Sequence, residues 1–185
     1  RANKAKDRKA KAFYDLLCQE VIDRSKILKK PEGSFLEIGA RNNLLYNKLQ
    51  SYNIEKKFFQ TIQSPKIDIY NKNKLISEMH DNPFKEKLFD FCFNILSLNT
   101  TEKIVTAYQT TYSLLKENGK FICILPAEDS LKEFKQIFYN SFPSFNSFTP
   151  AIKMEDLGKI GSTACFKNIV IDKSQFKLKV KRPHN

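Results

Sequence analysis

Hydrophobic residues follow two rhythms along this chain. Between residues 5 and 29 they recur every three or four positions. Phe13, Leu16, Leu17, Val21, Ile27 and Leu28 share one stripe, which predicts one or two amphipathic helices. KKPEG at 29–33 breaks that rhythm, so a helical N-terminal extension (1–32) is expected before a domain over 33–182. From there short apolar runs alternate with helical ones. SFLEIGA (34–40) reads as a buried strand, NNLLYNKLQSY (42–52) as a helix and KFFQTIQ (57–63) as a second strand. KIDIYN (66–71) suits either a third strand or the start of a helix. LFDFCFNILSL (88–98) is apolar on both faces, as a parallel strand covered on both sides requires.

The second half continues the alternation. Asn99 and Glu102 have the spacing of a capped helix start, with Ile104, Ala107, Tyr108, Thr111 and Leu115 on the buried face and Gly119 as a left-handed cap. KFICILP (120–126) is the next strand. Ser130 and Glu133 frame a capping box for a helix whose stripe is Leu131, Phe134, Ile137 and Phe138. Residues 154–161 form a short helix, and 166–172 with 175–181 a closing antiparallel hairpin. Strands alternating with helices predict an α/β fold with a doubly wound, mostly parallel sheet.

Composition narrows the class. At 185 residues with 41% hydrophobic and 28% charged positions, the chain is long enough for one domain with a sizeable core. No apolar run approaches the roughly 20 residues of a membrane helix. Cys18, Cys92, Cys123 and Cys165 are far apart and form no CxxC pair, and there are two histidines, so no metal is expected. No GxxxxGK[ST], GxSxG or HExxH pattern occurs. The net charge of +12 is concentrated at the ends. Residues 1–30 hold ten Lys/Arg against four Asp/Glu, and 167–185 hold six against one. Basic ends suit docking onto a larger protein assembly, RNA or an anionic surface, or serve as solubilising charge. The chain opens on Arg1 instead of Met, which a processed N-terminus, a trimmed chain or a missing leader would each explain.

Several segments together resemble one family. FLEIGARNNLLYNKL is similar to the strand, acid and glycine loop that opens class I S-adenosylmethionine-dependent methyltransferases. DNPFKEKLFDFCFNILSLN and LLKENGKFICILP resemble that family's fourth-strand block and its Leu-Lys-x-x-Gly turn. The leader KAFYDLLCQEVIDR, the strand KKFFQTIQSP and SFTPAIKMEDLG resemble a narrower branch. That branch holds the mitochondrial complex I assembly factor to which arginine hydroxylation is attributed, and the malonyl-acyl-carrier-protein methyltransferases. The resemblance implies a Rossmann-like, seven-stranded sheet completed by the C-terminal hairpin. It also implies a mitochondrial location on the matrix side, with a bacterial cytoplasm as the alternative.

The cofactor loop departs from the family pattern. Glu37 keeps the acid and Gly39 the first glycine, followed by Ala40, but Arg41 and Asn43 stand where further glycines are expected. Those glycines let the backbone approach a ligand with no Cβ in the way. The position of the ribose-binding acid after the second strand falls on Ile62, with Gln60 or Gln63 as substitutes, and the family's Leu-His-Trp becomes Leu98-Asn99-Thr100. Glu78 and His80 align loosely with an acidic residue near the adenine. The remnant cofactor site is therefore Glu37, Gly39, Ala40, Arg41, Gln60 and Glu78, with no assigned catalytic residue. Asp90 reads as a structural strand acid, Asp129 or Ser130 as a helix cap, and Tyr108 and Tyr112 as core or interface residues. The expectation is a degenerate site with no cofactor, in a non-catalytic assembly or structural component of a mitochondrial complex, with respiratory complex I first by resemblance. The alternatives are an active S-adenosylmethionine-dependent methyltransferase or related hydroxylase, and an RNA-associated mitochondrial ribosome component.

Overall fold

The computed structural model describes residues 2–27, 33–50, 57–81, 83–141 and 152–177. The elements run α1 (Ala2–Ile27), β1 (Phe35–Glu37), α2 (Leu44–Gln50), β2 (Phe58–Ile62), β3 (Lys74–Ile76), β4 (Phe89–Ile95), α3 (Ile104–Leu114), β5 (Leu115–Ile124), α4 (Lys132–Ser141) and α5 (Met154–Thr163). The five strands form one sheet in the order β3-β2-β1-β4-β5, and every pairing is parallel. The doubly wound α/β architecture is as expected.

Strand alternation builds two cores from one sheet. Phe35, Phe58, Phe91, Phe93 and Ile95 face a layer made by α1 and α2, where Leu17, Val21, Ile22, Leu45 and Leu49 are buried. Leu36, Ile38 and Cys92 face the opposite layer, with Ala107, Tyr108 and Leu114 of α3. Phe35 stacks on Phe91 at 5.4 Å and on Phe93 at 6.2 Å between ring centroids. Phe89 breaks the alternation and joins the α3 side, because the β4–β5 register shifts between Phe89 and Phe91.

Several expectations need correction. The buried face of α1 is rotated by about one position: Tyr14, Leu17, Cys18, Val21, Ile22 and Ser25 are buried, while Leu16 is 51% exposed. Residues 66–71 form neither strand nor helix, and the third strand is Lys74–Ile76. Asn99 and Glu102 do not cap α3. Leu98–Thr100 form a 3-10 turn, and α3 starts after Lys103 without a side-chain cap. Asn118, not Gly119, takes the left-handed conformation (φ +61), within a segment that bulges between the Phe89–Leu115 and Phe91–Lys120 pairs. Leu131 is exposed with φ +57, and α4 begins one residue later.

The sheet has five strands among the described residues, not seven. Residues 166–177, which include the first strand of the expected hairpin, make no ladder, and residues 178–181 of the second lie outside the described residues. The physical reason is side-chain docking in place of backbone pairing. Cys165 and Asn168 turn with positive φ, and Ile169 lies where a Cβ on Gly161 of α5 would meet it at 2.9 Å. Further on, Asp172 pairs with Arg24 and Phe176 packs edge-on against Phe13, both on α1.

The expected structural role of Asp90 is visible. Its Oδ2 accepts from the Ser34 backbone N–H (2.8 Å), the Ser34 hydroxyl (2.9 Å) and the Lys116 ammonium (2.7 Å), which ties the entry of β1 to β4 and β5. Partial burial pushes this carboxyl up, but the Lys116 and Ser34 hydrogen bonds outweigh it and hold it below the usual carboxylate range. Its stabilising contribution is therefore present above about pH 4 and is lost as pH falls through the depressed value. Asp90→Ala is expected to lower unfolding free energy by about 2 kcal/mol at neutral pH and to flatten the acid limb of the stability curve. Urea titrations from pH 2.5 to 7 check both.

Candidate functional site

The C-terminal ends of β1, β2 and β4 converge where the chain reverses its order across the sheet, between β1 and β4. In open parallel sheets this switch point is where ligands bind. Gly39 is held there from both sides. Its N–H donates to Thr61 Oγ1 at 3.0 Å, and its carbonyl accepts from Ser97 Oγ at 2.6 Å. Its φ is +67, and a Cβ would lie 2.8 Å from that of Ser97. Asn94 of β4 adds a third tie by donating to the Ile38 carbonyl at 2.8 Å. Glycine is thus required at 39 by conformation and by space.

The next loop residues are held by side chains. Asn42 Oδ1 accepts from the Leu44 N–H at 2.8 Å, at the start of α2. Asn43 donates to the Asp68 carbonyl (3.1 Å) and accepts from the Tyr70 N–H (3.2 Å), fastening the loop to the segment before β3. Neither Arg41 nor Asn43 has a positive φ, so the missing glycines cause no backbone strain. An open cleft of about 620 Å³ lies beside the loop, lined by Gly39, Arg41, Gln63, Ser64, Ile67 and Thr100.

The expected site residues divide between this cleft and the interior. Gly39 and Arg41 line the cleft. Ala40 is 1% exposed, in a small cluster with Ile62 and Ile69. Glu37 and Gln60 are fully buried and stand opposite each other in the β1–β2 register. Gln60 Nε2 donates to Glu37 Oε2 at 2.8 Å, the Tyr14 hydroxyl of α1 reaches Glu37 Oε1 at 3.4 Å, and Asn71 donates to Gln60 Oε1 at 3.1 Å. Glu78 is exposed, and neither it nor His80 lines the cleft. Ile62 is 2% exposed and turned into its apolar cluster, while the exposed Gln63 takes the cleft wall at the end of β2. Among the described residues no group of His, Cys, Asp and Glu converges to hold a metal ion.

Tyr14, Asn71 and Ser97 were not singled out from the sequence. Tyr14 sits one position off the expected stripe of α1, and Asn71 and Ser97 lie in segments without a periodic signal. Their roles come from long-range contacts: Tyr14 is 23 residues from Glu37, and Ser97 is 58 from Gly39.

Burial pushes the Glu37 carboxyl up to about 7, against the hydrogen bonds from Gln60 and Tyr14 that favour its charged form. Burial also raises Tyr14, and the nearby Glu37 charge adds to this. The folded protein therefore holds a proton on Glu37 that the unfolded chain releases near pH 4.3. Stability from this group is full below that value and declines until the folded carboxyl has titrated near pH 7. Glu37→Gln removes the decline. Its stability relative to the natural chain is expected to rise between pH 4.5 and 7.5 by roughly 3 kcal/mol, since each tenfold change in proton affinity is worth about 1.4 kcal/mol, and to level off above. Denaturant unfolding at matched pH values measures it.

Comparison with known proteins gives the fold a family likeness. No protein-family model matches the chain. The mitochondrial arginine-hydroxylase NDUFAF5 of Dictyostelium discoideum is 25% identical over 179 aligned residues, covering 80% of this chain. The chain spans only 41% of that relative's length. A SAM-dependent methyltransferase from Thermotoga maritima superposes with a TM-score of 0.61 at 19% identity, over 78% of this chain and 69% of that one. The PH0226 protein of Pyrococcus horikoshii gives 0.63 at 15% identity, over 80% of both chains. A SAM-dependent methyltransferase from Aquifex aeolicus gives 0.56 at 17%, over 77% and 78%.

Proposed function

The chain has the Rossmann-like fold of class I S-adenosylmethionine-dependent methyltransferases, and we propose that it is a non-catalytic member of that structural class. On this reading it is an assembly or structural component of a mitochondrial complex, respiratory complex I foremost, on the matrix side. The observation that carries it is the cleft wall, where, among the described residues, Arg41 is the only charged lining residue and no carboxylate is present. Besides one carboxylate that Arg41 could meet, S-adenosylmethionine presents a sulfonium, an ammonium and a ribose diol. These ask for carboxylate and carbonyl acceptors, and a charge-assisted bond to a carboxylate is about twice as strong as a neutral one. The described lining residues offer no carboxylate to its sulfonium, ammonium or diol. Glu37, two residues before Gly39, is committed to Gln60 and Tyr14 in the interior.

The likeness to a protein named as an arginine-hydroxylase supports the complex I direction and also favours the second reading, an active enzyme of that type. The basic ends, at 1–30 and 167–185, supply charge for docking onto a larger assembly.

Calorimetric titration of the purified chain with S-adenosylmethionine and S-adenosylhomocysteine separates the two readings. The expected outcome is no saturable heat up to millimolar ligand from a folded sample. Binding in the micromolar range would show a working cofactor site and favour the enzyme. For the assembly role, loss of the chain from its own cells is expected to lower the amount of assembled complex I. An unchanged amount would remove that assignment.

A further inference from the structure

The cleft carries a charge whose sign selects a class of ligand. Arg41 is exposed on its wall and makes no hydrogen bond or ion pair among the described residues. The other lining residues, Gly39, Gln63, Ser64, Ile67 and Thr100, are neutral. Charged chain neighbours of the lining residues are exposed and balanced in sign: Lys66 and Asp68 beside Ile67, and Glu102 and Lys103 after Thr100. Glu37 is fully buried and faces the interior side of β1, so it offers no carboxylate across the cleft. Among the described residues this guanidinium has no carboxylate partner, though its charge is felt by Tyr14, and the other lining groups are amide, hydroxyl and one apolar side chain.

A guanidinium in that setting favours a phosphate, which it can engage through two parallel N–H bonds. The Thr100 hydroxyl, which donates to the Ser97 carbonyl at 2.6 Å, keeps lone pairs to accept from a sugar hydroxyl. Ser64, whose oxygen accepts from the Lys66 N–H, keeps its proton to donate. The Gln63 amide can do both, and Ile67 suits a flat apolar ring. The volume of about 620 Å³ falls within the range of small-ligand sites, and the position at the strand ends is where such ligands dock. We infer that the cleft between Gly39, Arg41 and Gln63 binds a nucleoside phosphate, with the phosphate on Arg41 and the sugar against Gln63, Ser64 and Thr100. This rests on the reading that the cleft is not a working S-adenosylmethionine site.

The test is calorimetry of the full chain with ADP, adenosine and S-adenosylmethionine, at low and high salt, repeated on Arg41→Gln and Arg41→Lys. ADP is expected to bind at least about tenfold more tightly than the two other ligands, equivalent to about 1.4 kcal/mol. Arg41→Gln is expected to weaken ADP by about tenfold or more, with Arg41→Lys in between, because lysine keeps the charge and loses the planar fork. Added salt should weaken ADP binding and leave adenosine unchanged. Because Arg41 is exposed, both variants should unfold at the temperature of the natural chain. If neither ADP nor S-adenosylmethionine binds up to millimolar levels, this inference is overturned while the non-catalytic reading stands. ADP binding that Arg41→Gln leaves unchanged overturns it as well. Micromolar binding of S-adenosylmethionine without binding of ADP overturns both.

Discussion

The site is organised around a point where three strand ends are tied through one glycine. The N–H of Gly39 is held by Thr61 of β2 and its carbonyl by Ser97 just after β4, while Asn94 of β4 holds the carbonyl of Ile38. A side chain at 39 would collide with Ser97 and would have to accept a positive φ. These constraints come from the parallel sheet itself. Adjacent parallel strands end side by side, and the chain must turn sharply to start the next helix. The direction in which α2 leaves, the separation of the cleft walls and the exposure of Arg41 all follow from that corner.

Beneath the corner, one face of β1 holds a polar network inside an otherwise aromatic layer. Phe35 stacks among phenylalanines, and two residues later Glu37 is buried with no ion-pair partner among the described residues. A lone carboxylate in such a place would be strongly disfavoured. Gln60 opposite it in register and Tyr14 from α1 each donate to one of its oxygens, Asn71 holds Gln60 in place, and a raised proton affinity relieves the remaining cost. This arrangement links α1 to the loop-bearing strand. The N-terminal helix is therefore part of the layer that closes this face of the sheet, through Tyr14 as much as through Leu17 and Val21.

What the sequence disclosed follows from the range of the forces involved. The strands at 35–37, 58–62 and 89–95 were legible as short apolar runs buried on both faces, and the helices near 44, 104 and 154 because burial of one face imposes a local period. Glycine at 39 and the acid at 37 were legible as a motif. The direction in which Glu37 and Gln60 face was not, because it depends on pairing between strands 23 positions apart. The third strand was missed because Lys74–Ile76 is three residues long and its two apolar residues, Leu75 and Ile76, are adjacent and show no alternation. The cap expected at Gly119 moved to Asn118, since the register across the β4–β5 bulge decides which residue must turn left-handed.

The same distinction bears on how a loop can lose one chemistry while its fold persists. At position 39 glycine is demanded by conformation and by packing against Ser97, so replacing it would disturb the sheet. At 41 and 43 the backbone takes ordinary φ values, and glycine there would serve only to keep space open for a ligand. Once a ligand no longer needs that space, nothing in the sheet opposes a larger residue. Asn43 then binds the 68–70 segment and strengthens the scaffold, while Arg41 extends into solvent on the cleft wall. Scaffold and pocket are thus separable at the level of single residues. The loop has glycine at 39, where the fold depends on it, and on the proposed reading Arg41 and Asn43 occupy positions where only close ligand approach would ask for glycine.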